Sequence, residues 1–238
     1  METTPAGKII VALDNIDYKS KLEYLVKDLA PFGVGFKVGL ELISSGLALW
    51  TIKLIHESGG WIFYDGKFND IPNTVNKAVR AVARQNVRMI DVHASSGLES
   101  MVNAVKGKGN SQVLVLAVTV LTSLDYKEVS NIFGKPVINS ILYFAYQAKK
   151  SGCDGIVCSP QDLVILKPYP ELRKLIKVTP GIRPVWAQSD EHKRFMTPKA
   201  ALEAGADYLI IGRPIINPPK KIGSSQKALE KIIVELSD

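Results

Sequence analysis

The sequence predicts an α/β fold of the (β/α)8 class, a TIM barrel, and three observations carry that prediction. Short apolar, β-branched runs alternate with longer segments of helical period, and the alternation occurs eight times. The chain has 238 residues, near the length of about 250 typical of such barrels. Continuous short apolar runs suit parallel strands buried on both faces, and the spacers between them suit crossover helices.

In order, Ile9–Leu13 leads into a helical segment at Tyr18–Leu29, Gly35–Val38 into Glu41–Glu57, and Trp61–Tyr64 into Ile71–Arg84. Met89–Val92 leads into Leu98–Val105, Val113–Val118 into Val137–Lys150, and Gly155–Cys158 into Gln161–Arg173. Leu175–Val178 and Tyr208–Ile211 complete the series, with Lys199–Ala204 and Lys221–Leu236 as their helices. Glycines in Ser58-Gly59-Gly60, Ser151-Gly152 and Ala204-Gly205-Ala206-Asp207 fall just after helical segments, where C-caps belong. A doubly wound open sheet is the alternative. It calls for a G-x-G-x-x-G turn after its first strand, whereas here that strand ends Leu13-Asp14-Asn15-Ile16-Asp17. No repeat, low-complexity tract or long linker breaks the pattern. Residues 1–238 therefore read as a single barrel domain, with residues 1–8 a short polar lead-in.

Composition narrows the class further. The chain is 46% hydrophobic and 22% charged, as in ordinary globular proteins and unlike disordered or fibrous ones. Its two cysteines, Cys153 and Cys158, and three histidines, His56, His93 and His192, are too few for a disulfide framework and lack zinc-ligand spacing. A reducing, cytoplasmic setting is expected. The longest apolar run, around Val113–Leu121, falls far short of the about 20 residues a membrane helix needs. The lead-in carries Glu2 and has no apolar signal core. The net charge of +7 fits a nucleic-acid binder or an anionic small substrate. With no basic block of five, scattered lysines such as Lys149-Lys150 and Lys220-Lys221 read as solvated faces.

Barrels of this kind build their sites at the C-terminal strand ends. Those ends supply Asp14, Lys37, Asp65 with Lys67, His93, Thr119 with Thr122, Ser159, Thr179 with Arg183, and Arg213. In Asp65-Gly66-Lys67-Phe68-Asn69-Asp70, a strand continuing through Lys67 would point Asp65 and Lys67 to one side. Asp70 would lie in the turn beyond, with Pro72 near the start of the next helix. Carboxylates flanking a lysine keep it protonated, making it a proton donor. A structural ion-pair network is the alternative. Thr179-Pro180-Gly181-Ile182-Arg183 and Ile211-Gly212-Arg213-Pro214 follow the last two strands, where barrels often bind phosphate. Glycine allows close backbone approach, and arginine can grip phosphate oxygens in pairs. The long polar stretch Pro184–Arg194 could close as a lid or be an ordinary surface loop. His93 could line the site or pack structurally, and Cys153 and Cys158 read as buried, inert thiols.

Taken in their order and spacing, these motifs resemble the orotidine 5′-phosphate decarboxylase family, in its bacterial form, from about Ile9 to Ile215. The matching residues are Val11-Ala12-Leu13-Asp14, Phe36-Lys37-Val38-Gly39-Leu40-Glu41, Asp65-x-Lys67-x-x-Asp70-Ile71-Pro72-Asn73-Thr74 and Val92-His93-Ala94-Ser95. Val118-Thr119-Val120-Leu121-Thr122-Ser123, Thr179-Pro180-Gly181-Ile182-Arg183 and Ile211-Gly212-Arg213-Pro214 continue the match. The resemblance implies cofactor-free, metal-free conversion of orotidine 5′-phosphate to uridine 5′-phosphate and CO2 by a tetrad of Lys37, Asp65, Lys67 and Asp70. It implies that Lys37 and Asp14 hold ribose hydroxyls and that Asp65 faces the departing carboxylate. It further implies that Lys67 would stabilise and then protonate the C6 carbanion, and that Asp70, Ile71 and Thr74 would reach the neighbouring site of a homodimer. By the same resemblance Thr122 would lie near the pyrimidine, and Pro180, Arg183, Gly212 and Arg213 would belong to the phosphate site.

Three positions depart from the bacterial pattern. Gly66 and Asn69 stand where relatives usually carry Leu and His, and His192 aligns with a lid glutamine, with Gln188 as an alternative from a shifted loop. An imidazole there would make phosphate binding pH-dependent. Competing classes are a magnesium-dependent sugar-phosphate lyase such as a hexulose-phosphate synthase, a silent nucleotide binder, and a nucleic-acid binder. The first wants a carboxylate where Lys37 stands, and an ammonium cannot ligate a hard cation. The intact tetrad argues against the second. Neither nucleic acid nor membrane is an expected partner.

Overall fold

The computed structural model describes residues 4–16, 18–187 and 195–237. Eight strands follow one another in sequence order around a closed barrel: β1 (Ile9–Ala12), β2 (Gly35–Val38), β3 (Trp61–Phe68), β4 (Met89–His93), β5 (Leu114–Val118), β6 (Gly155–Val157), β7 (Ile176–Thr179) and β8 (Tyr208–Ile211). β1, β2 and β8 are buried at every position. That is what parallel strands covered on both faces require, and in β2 it buries Lys37 along with its apolar neighbours.

The chain gathers into two compact units. The first holds Met1–Gly66, Gly181–Glu203 and Tyr208–Asp238. In it β8, β1, β2 and β3 form a parallel ladder, with Ile10 beside both Gly35 and Ile210, and Lys37 beside Phe63. Ile9, Ile10, Phe36 and Phe63 fill its interior with no exposed surface. At the strands' N-terminal end the Trp61 indole lies against Gly35, where a Cβ would overlap the ring. The same indole meets Tyr208 edge-on, with ring centroids 5.8 Å apart.

The second unit holds Lys67–Pro180 and Ala204–Asp207. Its ladder is β4, β5, β6 and β7, all parallel. The helices Pro72–Ala83 and Leu98–Gly107 bury Val75, Val79, Met101 and Ala104. Asn76 Nδ2 donates to the Asn103 carbonyl at 2.9 Å. The helix Pro160–Leu166 starts on a reciprocal cap in which Ser159 and Asp162 each satisfy the other's backbone N–H.

Several element bounds differ from the sequence reading. β3 runs four residues past Tyr64, through Asp65 and Lys67. The expected helix Glu41–Glu57 is two, Leu40–Ser44 and Ala48–Glu57. Gly46 between them takes φ 75°, a left-handed turn that ends the first. Gln161–Arg173 shortens to a helix ending at Leu166 and a single 3-10 turn at Pro170–Leu172, since Pro168 and Pro170 cannot supply helical N–H groups. The last helix begins at Ser225 rather than Lys221. A helix at Tyr126–Phe133 and a single turn at Arg213–Ile216 were not expected.

Candidate active site

In the first unit Asp14 follows β1, Lys37 lies on β2 and Asp65 on β3. The Lys37 Nζ sits 2.9 Å from Asp14 Oδ1 and 3.0 Å from Asp65 Oδ2. Lys37 and Asp65 are buried, at 7% and 6% exposure, while the Asp14 side chain is 38% exposed. Burial, the largest influence on Lys37, works to lower its pKa. The Asp65 and Asp14 carboxylates and their hydrogen bonds outweigh it, and the net shift is upward. The lysine is therefore held as an ammonium. Two carboxylates facing one ammonium give the group a formal charge of −1. Gly39 leaves the room it needs, because a Cβ there would stand 2.6 Å from Lys37 Nζ and 3.1 Å from Asp14 Oδ1. The turn after β1 is pinned where the Asn15 N–H donates to Glu41 Oε2 at 2.7 Å.

Lys67 lies near the end of β3, half-buried, with φ 45°. The left-handed region is uncommon for a residue with a side chain and costs about 1–3 kcal/mol. The strand does continue past Asp65, but at this φ strand alternation alone does not set the direction of the Lys67 side chain. Its backbone N–H donates to Asp91 Oδ1 at 2.8 Å, and Asp91 is completely buried in β4. Asp91 is the residue that the sequence reading missed, since it sits inside an apolar run otherwise read only as a strand. A carboxylate among Met89, Ile90 and Val92 demands hydrogen-bond donors, and that was the available signal.

Asp70 lies in the exposed turn after β3, and Pro72 opens the following helix as expected. The Asp70 Oδ1 accepts the Ile71 N–H at 2.7 Å, and its carbonyl accepts the hydroxyl of buried Ser100 at 2.8 Å. Ile71 is 66% exposed, and Thr74 is exposed beside it. Thr122 is exposed in the turn after β5. His93 ends β4 with Nδ1 3.4 Å from Ser95 Oγ, and its carbonyl accepts the Ser96 hydroxyl at 2.6 Å.

Of the expected phosphate residues, Pro180 is half-buried directly after β7 in the second unit. Arg183, Gly212 and Arg213 belong to the first. Arg183 is half-buried, and its N–H donates to the Met196 carbonyl at 3.0 Å. Burial lowers its pKa, and the Arg213 charge lowers it further, so the two guanidiniums lie near enough to repel one another. Gly212 precedes the turn Arg213–Ile216, and its carbonyl accepts the Ile215 and Ile216 N–H groups. Arg213 itself is exposed. Paired guanidiniums beside a glycine turn have the chemistry to hold an anion. Of the expected lid, Val185–Ala187 is a 3-10 turn. Gln188 and His192 lie outside the described residues.

Among the described residues, no three His, Cys, Asp or Glu side chains gather in a metal-binding group, and no helix is long and apolar enough to cross a membrane. Cys153 and Cys158 are buried. Burial pushes both thiols up, Cys153 to about 11.

Comparison with known proteins adds the family context. The family model described as orotidine 5′-phosphate decarboxylase / HUMPS family matches residues 7–228. An orotidine 5′-phosphate decarboxylase of Pseudoalteromonas translucida is 43% identical over 94% of this chain and 97% of that protein. One from Geotalea uraniireducens is 40% identical over 95% of both. The crystal structure of orotidine 5′-phosphate decarboxylase from Lactobacillus acidophilus superposes with a TM-score of 0.80 at 33% identity, covering 97% of this chain and 99% of its own.

Proposed function

The chain belongs to the orotidine 5′-phosphate decarboxylase / HUMPS family and decarboxylates orotidine 5′-phosphate to uridine 5′-phosphate in pyrimidine biosynthesis, and we propose that Lys67 protonates the carbanion formed. In this step the bond between C6 and the carboxylate breaks, CO2 leaves, and the electron pair stays on C6. A proton from the Lys67 ammonium then moves to C6, and the lysine regains one from water. An ammonium held in advance stabilises negative charge on carbon far better in a dry site than in water.

The observation that carries the reading is buried Lys37 paired with buried Asp65 and half-exposed Asp14, with Lys67 two residues beyond Asp65 on the same strand. Asp14 and Lys37 take the ribose hydroxyls, the ammonium donating and the half-exposed carboxylate accepting. Asp65 stands against the substrate carboxylate. Within the first unit the charge is divided, net negative at this group and positive at Arg183 and Arg213. That division orients a phosphate ester with its phosphate toward the arginines. Pro180 and Gly212 complete the phosphate grip with a lid residue, His192 or alternatively Gln188, Thr122 lies by the pyrimidine, and no cofactor or metal takes part.

Asp70, Ile71 and Thr74 serve the neighbouring subunit of a homodimer. Their exposure in the turn after β3 and at the start of its helix supports this reading, a two-thirds exposed isoleucine being a natural subunit contact. The chain works as one domain over residues 1–238, in the cytoplasm, and without nucleic-acid or membrane partners.

The test is the loss of orotidine 5′-phosphate absorbance in excess EDTA. Wild type should turn over fully, while Lys67→Ala should lose at least about 10³-fold in kcat and still bind nucleotide. Near-wild-type turnover by Lys67→Ala removes Lys67 as proton donor. Asp70→Asn chains mixed with Lys67→Ala chains should recover one working site per dimer. No recovery defeats the shared-site assignment.

A further inference from the structure

Among the described residues, three non-glycine residues have left-handed backbone: Asn15, Asn86 and Lys67. Asparagine tolerates that region, because its short side chain can bond to the nearby backbone; lysine has no such means. At Lys67 the surroundings must therefore hold the conformation, and a buried contact bears directly on its backbone. Asp91 has no exposed surface, and its Oδ1 accepts the Lys67 N–H at 2.8 Å. A backbone donor meeting a carboxyl oxygen away from water makes a hydrogen bond that no solvent competes for.

We infer that Asp91 is a positioning residue for the decarboxylation, its Oδ1 locking the Lys67 backbone in the left-handed conformation from which the ammonium reaches the reacting carbon. This rests on the reading of Lys67 as proton donor. Strand geometry explains why a lock is needed. In extended backbone the side chain would follow the alternation set by Asp65, whereas φ 45° re-aims it. Displacing a reacting group by about 1 Å costs on the order of 10²-fold in rate. Asp91 touches no substrate in this scheme, and it acts on the reaction through the Lys67 backbone N–H.

The experiment has two arms on the full chain. Amide hydrogen exchange at Lys67 should be slow in wild type and in Asp91→Asn, whose amide oxygen still accepts, and at least about 10-fold faster in Asp91→Ala. With orotidine 5′-phosphate, Asp91→Ala should lose about 10²-fold in kcat with KM nearly unchanged, while Asp91→Asn stays within about 5-fold of wild type. Asp91→Leu, of similar volume but without an acceptor, repeats the test if the alanine variant does not fold. The wild-type exchange measurement needs no variant. Fast exchange at Lys67 in wild type overturns the inference, as does wild-type kcat in the folded alanine or leucine variant, or an asparagine variant no better than alanine. An active Lys67→Ala enzyme would instead sink the proton-donor reading, and the exchange arm would still report on the Asp91 bond.

Discussion

At the N-terminal end of β2, Gly35 lies under the Trp61 indole. Just past its other end, Gly39 lies beside the Lys37 ammonium. A Cβ fits at neither, yet the obstacles differ in kind. Trp61 is a rigid ring that also packs edge-on against Tyr208, so an added methyl has to displace core. Lys37 Nζ is the tip of a flexible chain and can swing aside, but only by leaving Asp14 and Asp65. One end of a four-residue strand thus guards the packing and the other guards the charged group, the division expected between the two faces of a barrel.

The largest effect should come from Gly39→Ala. We expect kcat/KM for orotidine 5′-phosphate to fall by roughly 10²-fold, because Lys37 loses its place. The melting temperature should change little. An alanine variant with full activity would show that the group tolerates a displaced ammonium and would break the contrast. Next comes Gly35→Ala, expected to destabilise by about 1–3 kcal/mol and to lower the melting temperature by several degrees. Activity per folded molecule should stay within about 3-fold of wild type. Adding Trp61→Leu sharpens the comparison, since removing the ring should make the alanine less costly than it is alone. Additive losses in the double variant would mean that the indole is not the obstacle. The smallest effect concerns Cys153 and Cys158, the thiols on either side of β6 in the second unit. With its pKa at about 11, Cys153 is thiolate in roughly one molecule per thousand at pH 8. Neither it nor Cys158 should react with a thiol reagent until the protein unfolds, and prompt labelling of the native protein would contradict their burial.

The barrel was legible because its strands are short, mostly apolar runs, and β2 and β8 have the bounds expected of them. β3 was read short because Asp65-Gly66-Lys67 looks like a turn, and only the surrounding sheet makes it strand. The helix Tyr126–Phe133 had a readable signal that was passed over. Asp125 and Glu128 form a reciprocal cap, and Gly134 ends the helix in left-handed conformation. For the site, the types and order of Lys37, Asp65, Lys67 and Asp70 could be read from strand ends. The pairing of Lys37 with both Asp14 and Asp65 could not be derived from spacing, because it depends on three neighbouring strands in register. Asp91 was hidden for a similar reason. Its partner is a backbone N–H that spacing gives no cause to single out.

Arg183 and Arg213 hold like charges close together, and that has a consequence for the encounter with substrate. Two guanidiniums that already repel one another present a concentrated field to any dianion approaching through solvent. Salt shortens the reach of that field, to about 8 Å at physiological ionic strength. Capture of a phosphate ester would then slow as salt rises, while events after binding would not. The pair would act first as an antenna, drawing the charged end of the ligand inward before Lys37 or Lys67 meets the rest of it.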